Sequence, residues 1–411
     1  MEKDRTAVTF LEREPVKFTV IVPTRERPDT LIYCLRTLVS QDYKNLTILV
    51  SDNFSQDNTL DVVLSFDDPR ILYINTGKRL SMAQNWEYAL NHVKDGWVSF
   101  LGDDDGLLPG ALGKASEIIA NTGCDAIVSD VCRYDWPNSG VRDNGLIVPL
   151  RNGNERRDAR LWLSKVMSGK AGYMDLPYVY TGGFVKLSAI SKARRSDGIF
   201  FCSIIPDVYS GVAIASVLDW YVYSKEPLAI AGLSCHSTGA SELGISKSTL
   251  PADRFFAENT ISFHTVLAGA ERIKSGRILL FECYLQAKHL HHDFLHLEIK
   301  DQLALALSAP DIAVGNGVRE YCELIATRNQ IDMKSVDNQV RSCVKATLRN
   351  KIQDNIFRSF SYLVLPGQAF GVYDVYAASL LARSAFLFQT VYLGWQIKKV
   401  WLGVRKFLRC F

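Results

Sequence analysis

A chain of 411 residues is long enough for two domains, and with 47% of them apolar it can bury large cores, which excludes global disorder. Its 47 basic and 44 acidic residues leave a formal charge of +3, too small at this length to argue for a nucleic-acid partner. The nine cysteines are scattered without a Cys-x-x-Cys pair, which reads as reduced thiols in a cytoplasmic protein, and no run of about eighteen apolar residues suggests a spanning helix.

Residues 1–16 form a polar lead-in that lacks the apolar core of a signal peptide. Phe18 to Val22 is a β-branched run ended by Pro23, the pattern of a strand. Asp29 or Thr30 is placed to cap a helix over 31–40. Leu46 to Val50 reads as a second strand that runs into the polar loop Ser51 to Thr59, followed by a helix from Leu60 and a strand over 71–74. Ser81 is placed to cap a helix over 82–93. The run Trp97 to Leu101 then stops at Gly102 and presents Asp103, Asp104 and Asp105 in succession.

Strand, loop and helix repeated every thirty residues or so predict a parallel sheet with helices on both faces. Ligands of such sheets bind outside the carboxyl ends of the strands. The loops after Val22, Val50 and Leu101 should therefore meet at one cleft, which singles out Asp52 and Asp103–Asp105 among the loop acids. Three carboxylates there are hard oxygen ligands suited to Mg²⁺ or Mn²⁺; the alternative is an acidic turn in water.

Further along, 141–160 is polar and irregular and reads as a surface loop. Gly182-Gly183 permits either a tight turn or close approach of backbone to a ligand. Asp207 precedes the helical run Val208 to Leu218 and could cap it. Pro227 to Gly232 reads as a last strand leading to Ser234–Ser241, where His236 stands. From about 251 the strand signals fade and helical patterns take over. His289, His292 and His296 would share a helix face, but nothing completes a metal site and an interface helix is the better reading. After Asp374 no acid occurs. Lys398, Lys399, Arg405, Lys406 and Arg409 fall on one side of a helical wheel and Val400, Trp401, Phe407 and Phe411 on the other, which suits a membrane-interface helix or one packed on its own domain.

Val20-Ile21-Val22-Pro23-Thr24, the run Val50 to Thr59, Met82-Ala83-Gln84-Asn85-Trp86 and the run Leu101 to Gly110 stand in the order seen in family 2 glycosyltransferases. The sequence resembles that family strongly over 17–120 and weakly over 175–245. The resemblance implies a GT-A fold, a Rossmann-like and mostly parallel sheet flanked by helices, over 17–250, with a helical C-terminal region over 251–411. It also implies a nucleotide-sugar donor, a divalent metal (Mg²⁺ or Mn²⁺) and inversion at the anomeric carbon. By that resemblance Pro23, Thr24, Arg25, Asp52, Asn85, Asp103, Gly182 and Gly183 would bind the donor. Asp104, Asp105 and His236 would hold the metal, with Asp104 the leading ligand. Asp207 would be the general base toward an acceptor hydroxyl. The family's usual Asp-x-Asp-Asp has Gly102 in its first position here, so the ribose contact falls to Asp103 or the register shifts by one.

The expected function is transfer of a sugar to a glycan or lipid-linked acceptor in bacterial surface polysaccharide synthesis. The expected place is the inner face of the plasma membrane, held peripherally through 385–411, with no nucleic-acid partner. The alternatives are a sugar nucleotidyltransferase, whose Gly-rich basic loop is missing after the first strand, and a catalytically silent binding module on the same fold.

Overall fold

The β-branched run at the start forms strand β1 (Phe18–Thr24), which lies inside the sheet with β2 (Leu46–Asp52) on one side and β4 (Trp97–Phe100) on the other. The structure is a computed structural model and describes residues 15–137, 139, 144–237, 250–269, 275–290, 295–308, 317–343 and 361–388. Helix α1 (Pro28–Val39) starts earlier than its apolar spacing suggests, because Pro28 takes its first turn. Arg27 stands at the cap position without a side-chain cap bond, so neither Asp29 nor Thr30 is the cap. Helix α2 (Thr59–Leu64) and strand β3 (Ile71–Asn75) follow. Helix α3 (Met82–Leu90) is opened by Ser81 in a capping box with Gln84, as the sequence indicated. The pairs β3–β2, β2–β1 and β1–β4 are all parallel, with Val20 beside both Ile48 and Ser99.

Beyond β4 the sheet becomes mixed. Its remaining elements are β5 (Gly106–Leu107), α4 (Ala111–Thr122), β6 (Ala126–Asp135), β7 (Gly145–Pro149), β8 (Asn154–Asp158), α5 (Ala159–Met167), β9 (Gly183–Lys186), α6 (Leu187–Lys192), α7 (Pro206–Val217) and β10 (Trp220–Leu233). Strand β9 inserts antiparallel between β4 and β6. Strand β10 runs parallel to β6 and antiparallel to β5 and β8. β6 and β7 are joined by too few residues for a crossover helix and therefore pair antiparallel.

The expected surface loop over 141–160 instead contains β7, β8 and the start of α5. The sequence of β8, Asn-Glu-Arg-Arg-Asp, carries no strand pattern of its own. Its ladder comes from β10, which pairs with it from Trp220–Asp158 to Ser224–Asn154. Arg157 fixes it further, with its guanidinium 3.6 Å from the Trp162 ring centre and 3.5 Å from that of Tyr223.

Helices α1 and α4 cover one face of the sheet through Leu31, Leu35, Leu112 and Ile118. On the other face α3, α5 and α7 share a core with helix Gly276–Gln286 and helix Gly317–Arg328, through residues such as Leu163, Val212, Phe281 and Ile325. The region expected to be purely helical also supplies strand β11 (Tyr362–Pro366), which extends the sheet beside β7. The helix over 375–388 then lies on β6, β7 and β10. His289 ends up in a short 3₁₀ turn and His296 in extended chain, so one helix does not carry both. The proposed terminal helix over 397–411 lies outside the described residues, as do 1–14 and 238–249. Among the described residues no helix is long and apolar enough to cross a membrane.

Candidate active site

Asp103, Asp104 and Asp105 are buried, with 2, 6 and 3% of their surfaces exposed, which rules out an acidic turn in water. Each is held by a different part of the chain. Asp103 accepts from Thr24 Oγ1 at 2.8 Å and from Arg27 Nη1 at 3.0 Å, both at the end of β1. Asp104 Oδ2 accepts from Ser234 Oγ at 2.6 Å and Ser237 Oγ at 2.8 Å, just past β10. Asp105 accepts from the Gly232 amide at 2.7 Å, the Gly102 amide at 3.2 Å and the Thr181 hydroxyl.

Burial of like charges is costly, and it shows in the acidities. Burial, and less strongly the neighbouring Asp104, push the Asp105 carboxyl up to about 7. Burial also raises Asp103, against the opposing pull of Arg27. Arg27 is the cation paired with the cluster, while Arg25 is drawn away to Glu258 at 2.5 Å. Three dry carboxylates facing one guanidinium leave an excess of negative charge on hard oxygen ligands, and a divalent cation fits that donor set. The hydrogen bonds to the Asp104 side chain all fall on Oδ2, which leaves Oδ1 facing the cleft's charge without a donor among the described residues. No group of three His, Cys, Asp or Glu side chains is already gathered for a metal among the described residues. The His236 ring lies 3.3 Å from Asp29 rather than on the acids, and His236 meets the cluster's partners through its backbone: its carbonyl accepts from Arg27 Nη2 at 2.8 Å and its amide donates to Ser234 Oγ at 3.2 Å.

The departure at Gly102 has a steric reason. A Cβ there would come within 2.5 Å of the Tyr180 hydroxyl and 2.8 Å of Asp105 Oδ2. Tyr180 thus fills the space that a carboxylate at position 102 would need.

Asp52 is buried at the end of β2, where Oδ1 accepts from the Ser55 amide at 2.9 Å and Oδ2 from Tyr73 Oη at 2.6 Å and Asn75 Nδ2 at 3.2 Å. Asn85 is buried too, and its Oδ1 accepts from Ser51 Oγ at 2.8 Å, which ties α3 to the end of β2. Pro23 is half-buried in β1. Glu26 and Phe54, in the loops after β1 and β2, have φ of 53° and 60° and are linked by the Glu26 amide donating to Ser55 Oγ at 2.9 Å. Left-handed non-glycine residues cost energy and collect at functional loops.

Gly182 and Gly183 are accounted for by backbone geometry. Gly182 has φ 88°, and a Cβ on Gly183 would sit 1.9 Å from the Tyr178 carbonyl oxygen. Three further contributors were not legible in the sequence. Gly232 lies so close to the cluster that a Cβ would fall 1.8 Å from the Asp104 carbonyl oxygen; a glycine ending an apolar strand is the one signal it gave. Trp136 Nε1 donates to that same carbonyl at 2.9 Å. Glu258, from beyond the last sheet strand of the first 250 residues, pairs with Arg25 and reaches to 4.0 Å from Arg79, which also pairs with Glu26.

Asp207 is the second residue of α7, and the cap position belongs to Ile205, so Asp207 does not act as the cap. Burial raises its carboxyl to about 6, against the stabilising amides of Val208 and Asp207 itself. No side chain among the described residues donates to it. Tyr180 stands beside Asp105, since a Cβ on Gly102 would meet both, and after burial the charges of Asp105, Asp104 and Asp207 raise its phenol.

Residues 19–174 match the model described as glycosyl transferase family 2. A stretch of 99 residues is 41% identical to the GalNAc(5)-diNAcBac-PP-undecaprenol beta-1,3-glucosyltransferase of Campylobacter jejuni, covering 23% of this chain and 32% of that protein. Over 87 residues the chain is 30% identical to the UDP-Glc:alpha-D-GlcNAc-diphosphoundecaprenol beta-1,3-glucosyltransferase WfaP of Escherichia coli, covering 21% of this chain and 35% of that protein. The chain thus spans about a third of the length of these curated relatives. The crystal structure of S. aureus TarS 1–349 aligns with a TM-score of 0.42 at 14% identity, over 81% of this chain and 92% of that one. The similarity to glycosyl transferase family 2 thus lies in residues 19–174 of the 411.

Proposed function

We propose that the protein is a metal-dependent inverting glycosyltransferase that moves a sugar from a nucleotide-sugar to a hydroxyl of a lipid-linked glycan in surface polysaccharide synthesis. The observation that carries this reading is the buried cluster Asp103–Asp105, gathered by Thr24, Arg27, Thr181, Gly232, Ser234 and Ser237 at the carboxyl ends of the strands. Two relatives are named for acceptors that are undecaprenol-linked diphosphates, which supports the acceptor class. The catalytic unit of this reading is 17–250 together with 361–388.

The residues divide the work as follows. Asp52 and Asn85 hold the ends of β2 and α3 that would receive the nucleotide, with Thr24, Arg25 and Asp103 beside its ribose and phosphates. Gly182 and Gly183 shape the turn behind the sugar. Asp104, with Asp105 behind it, would hold Mg²⁺ or Mn²⁺, and His236 borders that site. Such an ion, when bound, neutralises the charge that develops on the departing diphosphate. Asp207 accepts the proton of the acceptor hydroxyl as its oxygen bonds to the anomeric carbon and the bond to the diphosphate breaks. A carboxyl with a pKa of about 6 is a stronger base than an ordinary aspartate and still ionised at neutral pH. One displacement by one base inverts the anomeric centre. On this reading the protein acts at the inner face of the plasma membrane.

Incubation with a panel of nucleotide-sugars and Mg²⁺ or Mn²⁺ tests the reading. Release of a nucleoside diphosphate, accelerated by a lipid-linked acceptor, is the expected result. Release of pyrophosphate, or no turnover with any donor, overturns it.

A further inference from the structure

The helix over 375–388 is apolar on both sides. Its inner side, Val375, Ala378, Ala382 and Phe386, is buried against Cys132, Tyr134, Leu146 and Ile230 of the sheet. Arg383 is its single charged residue, and its Nη1 donates to the mostly buried Glu226 at 2.7 Å, which locks the helix to β10. The opposite side is Leu380, Ser384, Leu387 and Phe388, flanked by Ala377 and Leu381, which pack partly against the same core, and there is no charge among them. Leu380 is 42% exposed, and Phe370 and Tyr373 in the turn leading into the helix are each 56% exposed. A helix that is apolar all round belongs in a core or against a membrane, and exposed apolar patches mark interaction sites.

We infer that this outer face, from Phe370 to Phe388, is a docking surface for an anionic lipid bilayer. The chain that follows supports that occupant. Residues 389–411 contain no acid, but they hold Lys398, Lys399, Arg405, Lys406 and Arg409 among Trp395, Trp401 and Phe407. The helix over 375–388 and the segment after it offer no carboxylate to those cations, and the nearest acid, Asp374, is engaged at the helix start by the Ala377 amide at 2.8 Å. A second copy would bring like charges together, whereas anionic headgroups neutralise them.

The face is also linked to the candidate active site through β6. The Gly367 amide donates to the Asn144 carbonyl at 2.7 Å, and Tyr134 Oη donates to Asn144 Oδ1 at 3.1 Å. Two residues on from Tyr134, the Trp136 indole holds the Asp104 carbonyl. The Phe370–Tyr373 turn is therefore tied to the strand end that supports the acid cluster. Docking would set the cleft at the bilayer surface, where a lipid-linked acceptor is presented. The inference deepens the acceptor reading above, but the docking itself does not require the transfer chemistry.

Co-sedimentation of the full chain with phosphatidylcholine vesicles, with and without phosphatidylglycerol, tests it. The protein should pellet with the anionic vesicles, and less so as salt rises. The double variant Phe370→Glu/Leu380→Glu should bind about tenfold more weakly, from lost apolar burial and added repulsion. Its melting temperature should stay near that of the parent, because these side chains are exposed. Phe370→Gln/Leu380→Gln gives the same test if the charged pair fails to fold. Deletion of 389–411 should weaken binding and leave a remainder that the double variant removes. Equal sedimentation of parent and variant, or no preference for anionic vesicles, overturns the inference. So does a parent dimer split by the variant, which would assign the face to a second copy, or stronger binding after deletion, which would assign it to the tail. Donor hydrolysis measured on the same samples reports separately on the glycosyltransferase reading.

Discussion

Ser234 Oγ donates to Asp104 Oδ2 at 2.6 Å across 130 residues of sequence. That bond joins the loop after β4 to the loop after β10, and Ser237 reinforces it on the same oxygen. One carboxylate oxygen is thereby anchored, and on the proposed reading the other is left for a cation. Mg²⁺ or Mn²⁺ should raise the melting temperature of the parent protein, since a ligand of the folded state stabilises it by mass action. Asp104→Asn should abolish that rise while the apo protein still melts cooperatively, and Ser234→Ala should shrink it. Scanning calorimetry with and without chelator reads this out; an unchanged rise in Asp104→Asn removes the residue from the metal site.

Asp207 carries a pH dependence with a definite sign. As a base it must be ionised, so kcat/KM should climb with pH and level off above about 6. Asp207→Asn should lose about 10²–10⁴-fold in transfer and keep donor affinity. Stability should run the other way. A carboxyl raised in the folded state binds its proton more tightly there than in the unfolded chain. Its contribution is present below about pH 4, the unfolded value, and lost as pH rises through about 6. Above pH 6 the Asn variant should therefore melt no lower than the parent. A variant that turns over normally would leave Asp207 as only a half-buried acid in the first turn of α7.

Asp52 already accepts three hydrogen bonds, from Ser55, Tyr73 and Asn75, so its orientation does not wait for a ligand. Asp52→Ala should weaken nucleotide-sugar binding about tenfold or more, the value of a hydrogen bond to a charged group. Titration calorimetry of both forms checks it, with Asp52→Asn separating charge from shape. Equal affinities would mean that Asp52 only builds the loop.

Gly232 tests how closely the site is packed. Alanine there would place a methyl 1.8 Å from the Asp104 carbonyl oxygen and 2.6 Å from Trp136 Nε1. Gly232→Ala should cost about 1–3 kcal/mol from overpacking and break the Trp136 bond. Urea denaturation measures the first and tryptophan fluorescence the second. Loss of metal binding at a modest stability cost would show that the backbone of Asp104, as well as its side chain, sets the site.

The sequence by itself determined the elements whose signals are local. β-branched runs marked β1 and β2, a short apolar run marked β4, and Ser81 marked the start of α3, because strand preference and helix capping act over a few residues. The alternation of strand and helix also placed Asp52 and the three acids at one edge of a parallel sheet. Only the tertiary structure decided what those acids are worth. For Asp103–Asp105 a wet turn stayed open as the alternative until Thr24, Arg27, Thr181, Gly232, Ser234 and Ser237 enclosed them, each more than 75 residues away along the chain. Tyr180 in the place of a family carboxylate, the polar strand β8 and strand β11 share that origin. Each exists because a distant segment supplies a hydrogen-bonding partner or fills a volume, and neither a partner nor a volume leaves a period in the residues that receive it.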